Sequence, residues 1–237
     1  MKKVIIIGAT SGIGRALADK FLQKGYAVAI SGRRQTLLES FAASAKNTFT
    51  ACFDVTASDR VDHLKSLIVT TGGMDIFIYC AGIGDPTDLL DWNWDKITTD
   101  TNVNGFVELT NYAYNFFMNQ GSGHVVGISS IASNRGNSLA PAYSASKAFM
   151  SIYLEGIWIK SKRNKWNIEV TDIQPGFVKT KMAKANKTFW EVPVDKAATQ
   201  IIQAIDHKKR RAYISRRWWL IAKLMKLIPT VIYQKFG

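Results

Sequence analysis

Val4-Ile5-Ile6-Ile7-Gly8-Ala9-Thr10-Ser11-Gly12-Ile13-Gly14 is four branched apolar residues followed by three glycines within seven positions. A short, continuous apolar run stopped by glycine reads as a strand buried on both faces, the kind found in parallel sheets. Beyond Gly14 the apolar positions Ala16, Leu17, Phe21 and Leu22 recur at helical spacing. Strand, glycine loop and helix in this order are the context in which such glycines mean phosphate binding. Glycine allows the tight turn and a close backbone approach. The helix N-terminus then offers free N–H groups and partial positive charge to a pyrophosphate. Gly8, Thr10, Ser11, Gly12, Ile13 and Gly14 are the candidate contacts. The plainer reading is a glycine turn with no ligand; the strand before and the helix after favour the phosphate site.

Outward from this stretch, strands and helices alternate. Expected strands are Tyr26–Ile30, Phe49–Phe53, Ile76–Tyr79, Gly123–Ser129, Ile168–Ile173 and Ala212–Ser215. Between them lie helical patterns over Leu37–Ala45, Val61–Val69, Trp94–Asn102, Val103–Gln120, Ala142–Ser161 and Asp195–Asp206. Trp92 and Trp94 are expected to pack beneath the turn-rich break at Gly84–Asp91. The alternation specifies an α/β fold: one doubly wound parallel sheet of about seven strands with right-handed crossovers, in a single domain over residues 1–215. The second strand ends at Ser31-Gly32-Arg33-Arg34. An acid here would accept hydrogen bonds from an adenosine ribose, whereas arginine suits a 2′-phosphate. Two arginines and no acid favour NADP over NAD, with Arg33 the main determinant and Arg34 beside it.

The 237 residues suit one domain with a full core, and 47% apolar with 21% charged residues is ordinary globular composition. Cys52 and Cys80 show neither metal-ligand nor disulfide spacing, so a reducing cytoplasm is the simplest context. Met1-Lys2-Lys3 before the apolar run imitates a signal peptide, but the run ends at Ile7, too soon for one. Net charge is +13. From Lys208 onward there are nine Lys or Arg residues and no Asp or Glu, so the body is only mildly basic. That distribution excludes a nucleic-acid footprint spread over the whole domain.

A second informative stretch follows the fifth strand. Ser130 lies just past its end, Pro141 suits the opening of a helix, and Tyr143 and Lys147 share one face of that helix. A phenol ordinarily ionises near pH 10, and a nearby ammonium favours phenolate. Lys147 is therefore expected to pull the Tyr143 pKa toward working pH. Tyr143 can then donate a proton to a carbonyl or accept one from an alcohol. Alone, a Tyr-x-x-x-Lys pair is more often a solvated helix face; its place in the chain is what raises it.

Taken together, these motifs resemble the single-domain short-chain dehydrogenases/reductases, over nearly the whole chain to about Ser215. Gly8-x-x-x-Gly12-Ile13-Gly14 resembles the family's cofactor loop and Asp54-Val55 its adenine-contacting pair. Asn102-Val103-Asn104-Gly105 resembles the segment whose first asparagine is catalytic. Ser130, Tyr143 and Lys147 stand at the family's spacing, and Pro175-Gly176-Phe177-Val178-Lys179-Thr180 resembles the stretch holding the nicotinamide end, with Pro175, Val178 and Thr180 as contacts. The resemblance implies a Rossmann-type fold. It also implies hydride transfer between NADP(H) and a carbonyl or carbinol carbon, with Tyr143 moving the proton and Ser130 bonding the reacting oxygen. Lys147 would tune Tyr143 and bind the nicotinamide ribose, and Asn102 would hold a water linking Lys147 to solvent. Departures are Tyr79-Cys80 where the family has two asparagines before Ala81-Gly82, themselves cofactor-contact candidates, and the lack of a basic residue at Ser11. A cofactor-binding sensor would keep the glycine loop but lose part of the Ser-Tyr-Lys set, which here is intact. An adaptor would work through its tail.

Residues 177–193, which combine lysines with Phe189 and Trp190, are expected to form a lid over a small-molecule carbonyl or alcohol substrate. Residues 216–237 read as an apolar, basic helical tail, with Lys223, Lys226, Thr230 and Gln234 as a narrow polar stripe and a kink at Pro229. Tryptophans, cations and a wide apolar face suit peripheral contact with a membrane; packing on the domain or on another subunit of a homo-oligomer is the alternative.

Overall fold

Lys3–Ile7 forms β1, and its alternation sorts the core. Val4 and Ile6 point to one side of the sheet, Ile5 and Ile7 to the other, all fully buried. The computed structural model describes residues 1–180 and 190–234. The remaining strands are β2 (Ala27–Gly32), β3 (Thr48–Cys52), β4 (Ile76–Tyr79), β5 (Gly123–Ile128), β6 (Ile168–Pro175) and β7 (Arg211–Ile214). All pair in parallel, in the order β3-β2-β1-β4-β5-β6-β7, so the expected doubly wound seven-stranded sheet is the one observed.

Helices cover both faces. On one side α1 (Gly12–Gln23), α2 (Gln35–Ala42) and α7 (Val194–Asp206) pack through Leu17, Phe21, Phe41 and Ile201. On the other, α3 (Arg60–Thr71), α5 (Gly105–Gln120) and α6 (Pro141–Arg163) pack through Leu64, Phe106, Phe117 and Leu154. The strand order reverses between β1 and β4, and ligands of such sheets bind in the crevice beyond the strand ends at that point. There Gly8 presses on Ala81: a Cβ on Gly8 would lie 2.5 Å from the Ala81 Cα.

Three expectations need correction. Trp92 and Trp94 do not pack inward; they open α4 (Trp92–Thr99), which Asp91 caps through the Asn93 N–H at 2.8 Å, and both face outward. Asn102 and Val103 are not a break between two helices. Residues Asp100–Asn104 form one π turn that carries α4 into α5. The tail is two helices, α8 (Trp218–Leu227) and α9 (Thr230–Tyr233), rather than one kinked helix. Proline disfavours helical backbone in the residue before it, and Ile228 is accordingly extended, with Pro229 opening α9. Of the expected lid, residues 181–189 lie outside the described residues. Its stem is a parallel bridge between Val178 and Val192.

Candidate active site

The cleft begins at the glycine loop. Gly8 and Gly12 have φ of 82° and 58°, values that disfavour side chains. A Cβ on Gly14 would lie 2.5 Å from the Gly8 carbonyl oxygen, so α1 can approach the loop only because that position is bare. Ser11, at the N-cap of α1, makes no side-chain cap, which leaves the first-turn N–H groups without that partner. Thr10 is nearly buried, and a Cβ on Gly32 would sit 2.7 Å from its methyl. Arg34 crosses the loop, donating from Nε to Thr10 Oγ1 at 3.0 Å and from Nη2 to Ser11 Oγ at 2.7 Å. Arg33 instead reaches Asp54 Oδ2 at 3.3 Å. Burial pushes the Asp54 carboxyl up, but the Thr56 N–H and hydroxyl bonds and the Arg33 charge outweigh it and hold the group below the usual range. The site thus offers bare backbone, a helix N-terminus that Ser11 does not cap and two guanidinium groups at the end of β2, which fits a dinucleotide phosphate chain.

The other predicted residues gather beyond β4 and β5. Ser130 follows β5 in extended backbone, and its hydroxyl accepts from the Ala132 N–H at 3.1 Å. The same hydroxyl faces the Tyr143 phenol and works to lower its pKa. Lys147 lies one helical turn further along α6, buried, donating from Nζ to the Ile128 carbonyl at 3.0 Å. That Nζ is 5.7 Å from the centre of the Tyr143 ring. Asn102, on the π turn, is fully buried and ties three segments together. It donates to the Ile83 carbonyl at 2.8 Å and to Ser146 Oγ at 2.9 Å, and accepts from the Ile83 N–H at 2.9 Å. Ser146 in turn donates to the Tyr143 carbonyl at 2.7 Å. A Cβ on Gly82 would meet Lys147 Nζ at 3.1 Å and Asn102 Oδ1 at 3.3 Å, so the bare backbone of Gly82 lies directly against both side chains.

Thr180 closes the ring of predicted contacts, its methyl 3.5 Å from where a Gly12 Cβ would stand. Three predicted contacts are less open. Ile13 packs partly against the core and keeps part of its side chain accessible, whereas Val178 and Pro175, the last residue of β6, are buried, so those two offer backbone alone. Val55 likewise turns its side chain into the core, while its carbonyl oxygen lies 2.6 Å from where a Gly105 Cβ would stand.

The electrostatics overturn one expectation. Burial pushes the Tyr143 phenol above its ordinary pKa, with the Ser130 hydroxyl opposing, so Lys147 does not pull it toward neutral. Lys147 itself is pushed down to about 8 by burial, against the pull of Cys80 and Asp172. An ammonium short of solvent has less charge to lend than spacing alone implies.

Sequence reasoning missed two features. The Tyr143 ring lies on the backbone of Gly84, where any Cβ would overlap it. Behind the site is a buried network. Asp172 accepts from Ser151 Oγ at 2.6 Å, Gln174 Nε2 at 2.7 Å and Arg211 Nε at 3.1 Å, and also from Ser129 Oγ. The available signal was a strand with Asp172 and Gln174 at positions where an interior strand should be apolar.

Comparison with known proteins gives a consistent picture. A family model described as short chain dehydrogenase matches residues 2–189. An uncharacterized oxidoreductase of Mycobacterium tuberculosis is 30% identical, with all of this chain and 97% of that one covered. Another, from Myxococcus xanthus, is 32% identical over 78% of this chain and 75% of its own length. Among solved structures, a short chain dehydrogenase from Burkholderia cenocepacia in complex with NADP superposes with a TM-score of 0.85 at 18% identity, covering 99% of this chain and 98% of that one.

Proposed function

Since the chain belongs to the short chain dehydrogenase family of oxidoreductases, we propose that it moves hydride between NADP(H) and a small carbonyl or alcohol, with Tyr143 carrying the proton. The observation that carries this reading is Ser130 set against the Tyr143 phenol, with Lys147 Nζ 5.7 Å from the centre of the same ring.

Bound nicotinamide would supply the hydride in reduction and take it in oxidation. The rest falls to the chain. Ser130 and Tyr143 bind the reacting oxygen, where negative charge develops as the carbon is reduced. Tyr143 gives its proton to that oxygen and takes it back in the reverse direction. A phenol held above its ordinary pKa keeps its proton at neutral pH, so Tyr143 carries the proton that carbonyl reduction needs. Lys147 holds positive charge beside Tyr143 and a donor toward the ribose. Asn102 acts as a positioning residue: it fixes the Ile83 loop against α6, and the second lone pair of its Oδ1 is available to the water expected to link Lys147 to solvent. Arg33 and Arg34 follow the end of β2 with no acid at that point of the chain, which supports NADP over NAD, since arginine there suits a 2′-phosphate.

The test is Tyr143→Phe. Loss of general acid catalysis should lower kcat for carbonyl reduction by about a hundredfold to ten-thousandfold. NADPH binding, read by fluorescence titration, should be unchanged. A phenylalanine variant that turns over at the parent rate would remove Tyr143 from the chemistry.

A further inference from the structure

The outer face of the tail has no occupant within the described residues. Its inner face does: Trp218 and Ala222 are buried, and Arg135 donates from Nη1 to the carbonyls of Met225 at 3.2 Å and Ile228 at 3.0 Å. The Tyr233 hydroxyl donates to the Gly136 carbonyl at 2.8 Å, and the Arg135 guanidinium lies over the Tyr233 ring. The tail is thereby fixed to the loop that starts at Ser130. That loop is joined in turn to the one after β4, through the Thr87 N–H and the Leu139 carbonyl at 2.8 Å. Both loops leave the ligand end of the sheet, so the tail rims the mouth of the catalytic cleft.

What this rim shows to solvent is apolar and cationic. Leu220, Leu224 and Leu227 fall at i, i+4 and i+7 on α8, and are 60%, 53% and 78% exposed. Leu139 and, beyond β4, Leu89 and Leu90 are exposed on the adjoining loops. Lys223 and Lys226 flank the leucine stripe, with Lys223 over the Trp219 ring at 4.2 Å. Arg216 and Arg217 precede it, all four cations are exposed, and none makes an ion pair among the described residues. No acidic residue follows Asp206.

We infer that this face lies on an anionic lipid bilayer, with α8 in the plane of the interface. Two arguments select that occupant. Pairing with a second copy would set the same four cations against themselves across a two-fold axis, with no acid in the tail to neutralise them. Anionic headgroups neutralise them and accept the leucines in the acyl boundary, the pattern of an interfacial helix. The helix lies on the surface and does not cross it. Ten residues rise about 15 Å against about 30 Å of hydrocarbon, and no helix among the described residues is long and apolar enough to span. Given the proposed chemistry at Tyr143, the cleft then opens toward the lipid, and its substrate class is a lipophilic carbonyl taken from the bilayer.

The experiment is co-sedimentation of the full chain with vesicles of phosphatidylglycerol and, separately, of phosphatidylcholine. Parent protein should pellet with the anionic vesicles, less so as salt rises, and remain in solution with the zwitterionic ones. Lys223→Ala with Lys226→Ala should weaken partitioning about thirtyfold. Leu220→Glu with Leu224→Glu should abolish it, while turnover of a water-soluble ketone stays at the parent level. Parent protein that stays in solution with phosphatidylglycerol overturns the inference. So does a leucine variant that still pellets, or a dimer by light scattering that the same glutamates dissolve. Sedimentation reads the surface alone: a chain that pellets as expected but reduces no ketone would sink the chemistry at Tyr143 and leave the docking intact.

Discussion

His124 is a buried side chain whose protonation works against this fold as pH falls. It sits on β5 with Nε2 2.8 Å from Thr171 Oγ1, and burial pushes its pKa down to about 4. An unfolded histidine takes up its proton near pH 6.5. Across the window between those values the unfolded chain binds a proton that the folded chain refuses, so stability falls as pH falls. The full window is worth on the order of 3 kcal/mol. Urea unfolding followed across it should show that slope in the parent and a shallower one in His124→Asn, which carries no titrating ring; equal slopes would remove His124 as the cause. The same contrast explains what could be read at Tyr143. Its partnership with Lys147 follows from helix geometry, four residues apart, and needs no tertiary information. The direction of its pKa depends on burial against Gly84, some sixty positions away in sequence, and on Ser130. Spacing carries no trace of either.

At the scale of elements, the proposed function has the glycine loop and the end of β2 divide the work of holding a dinucleotide. Arg34 braces the loop through Thr10 and Ser11, whereas Arg33, 69% exposed along its side chain, is held among the described residues only by Asp54. Arg33 is therefore the guanidinium free to turn to a 2′-phosphate. A hydrogen bond to a charged group is worth about 1.5–3 kcal/mol. Arg33→Ala should accordingly reduce the preference for NADPH over NADH in kcat/KM by about tenfold to a hundredfold. Arg34→Ala should weaken both cofactors together, because it loosens the loop they share. An unchanged preference in Arg33→Ala would refute its role. The loop was legible because Gly8, Gly12 and Gly14 answer to local rules of turn and approach. The π turn at Asp100–Asn104 was not: its residues have ordinary helical character, and what the turn achieves is to aim Asn102 at Ile83 and Ser146, partners distant in sequence.

For the whole molecule, parallel pairing follows from βα alternation and the right-handed crossover, and this is why the class of sheet, though not its strand order, could be read from residues alone. The tail could not be resolved the same way. Its apolar residues go all round, so periodicity left open whether a given side chain faces the domain or the outside. The answer lies in contacts with distant residues. Trp218 is 3% exposed, its ring 5.6 Å edge-on from Phe177 and 6.3 Å from Trp190, and it fills the space that a side chain on Gly176 would take. That places the tail's anchor on the stem of the segment beyond β6, so tail and domain should melt as one unit. Truncating a buried tryptophan costs about 3–5 kcal/mol. In a domain this large, Trp218→Ala should then lower Tm by roughly 10 °C in calorimetry, and trypsin should cut first after Arg216 or Arg217 as the tail lifts away. If Trp218→Ala melts at the parent temperature, the tail is an appendage that the fold does not need, and its contact with Phe177 and Trp190 contributes nothing to holding the sheet together.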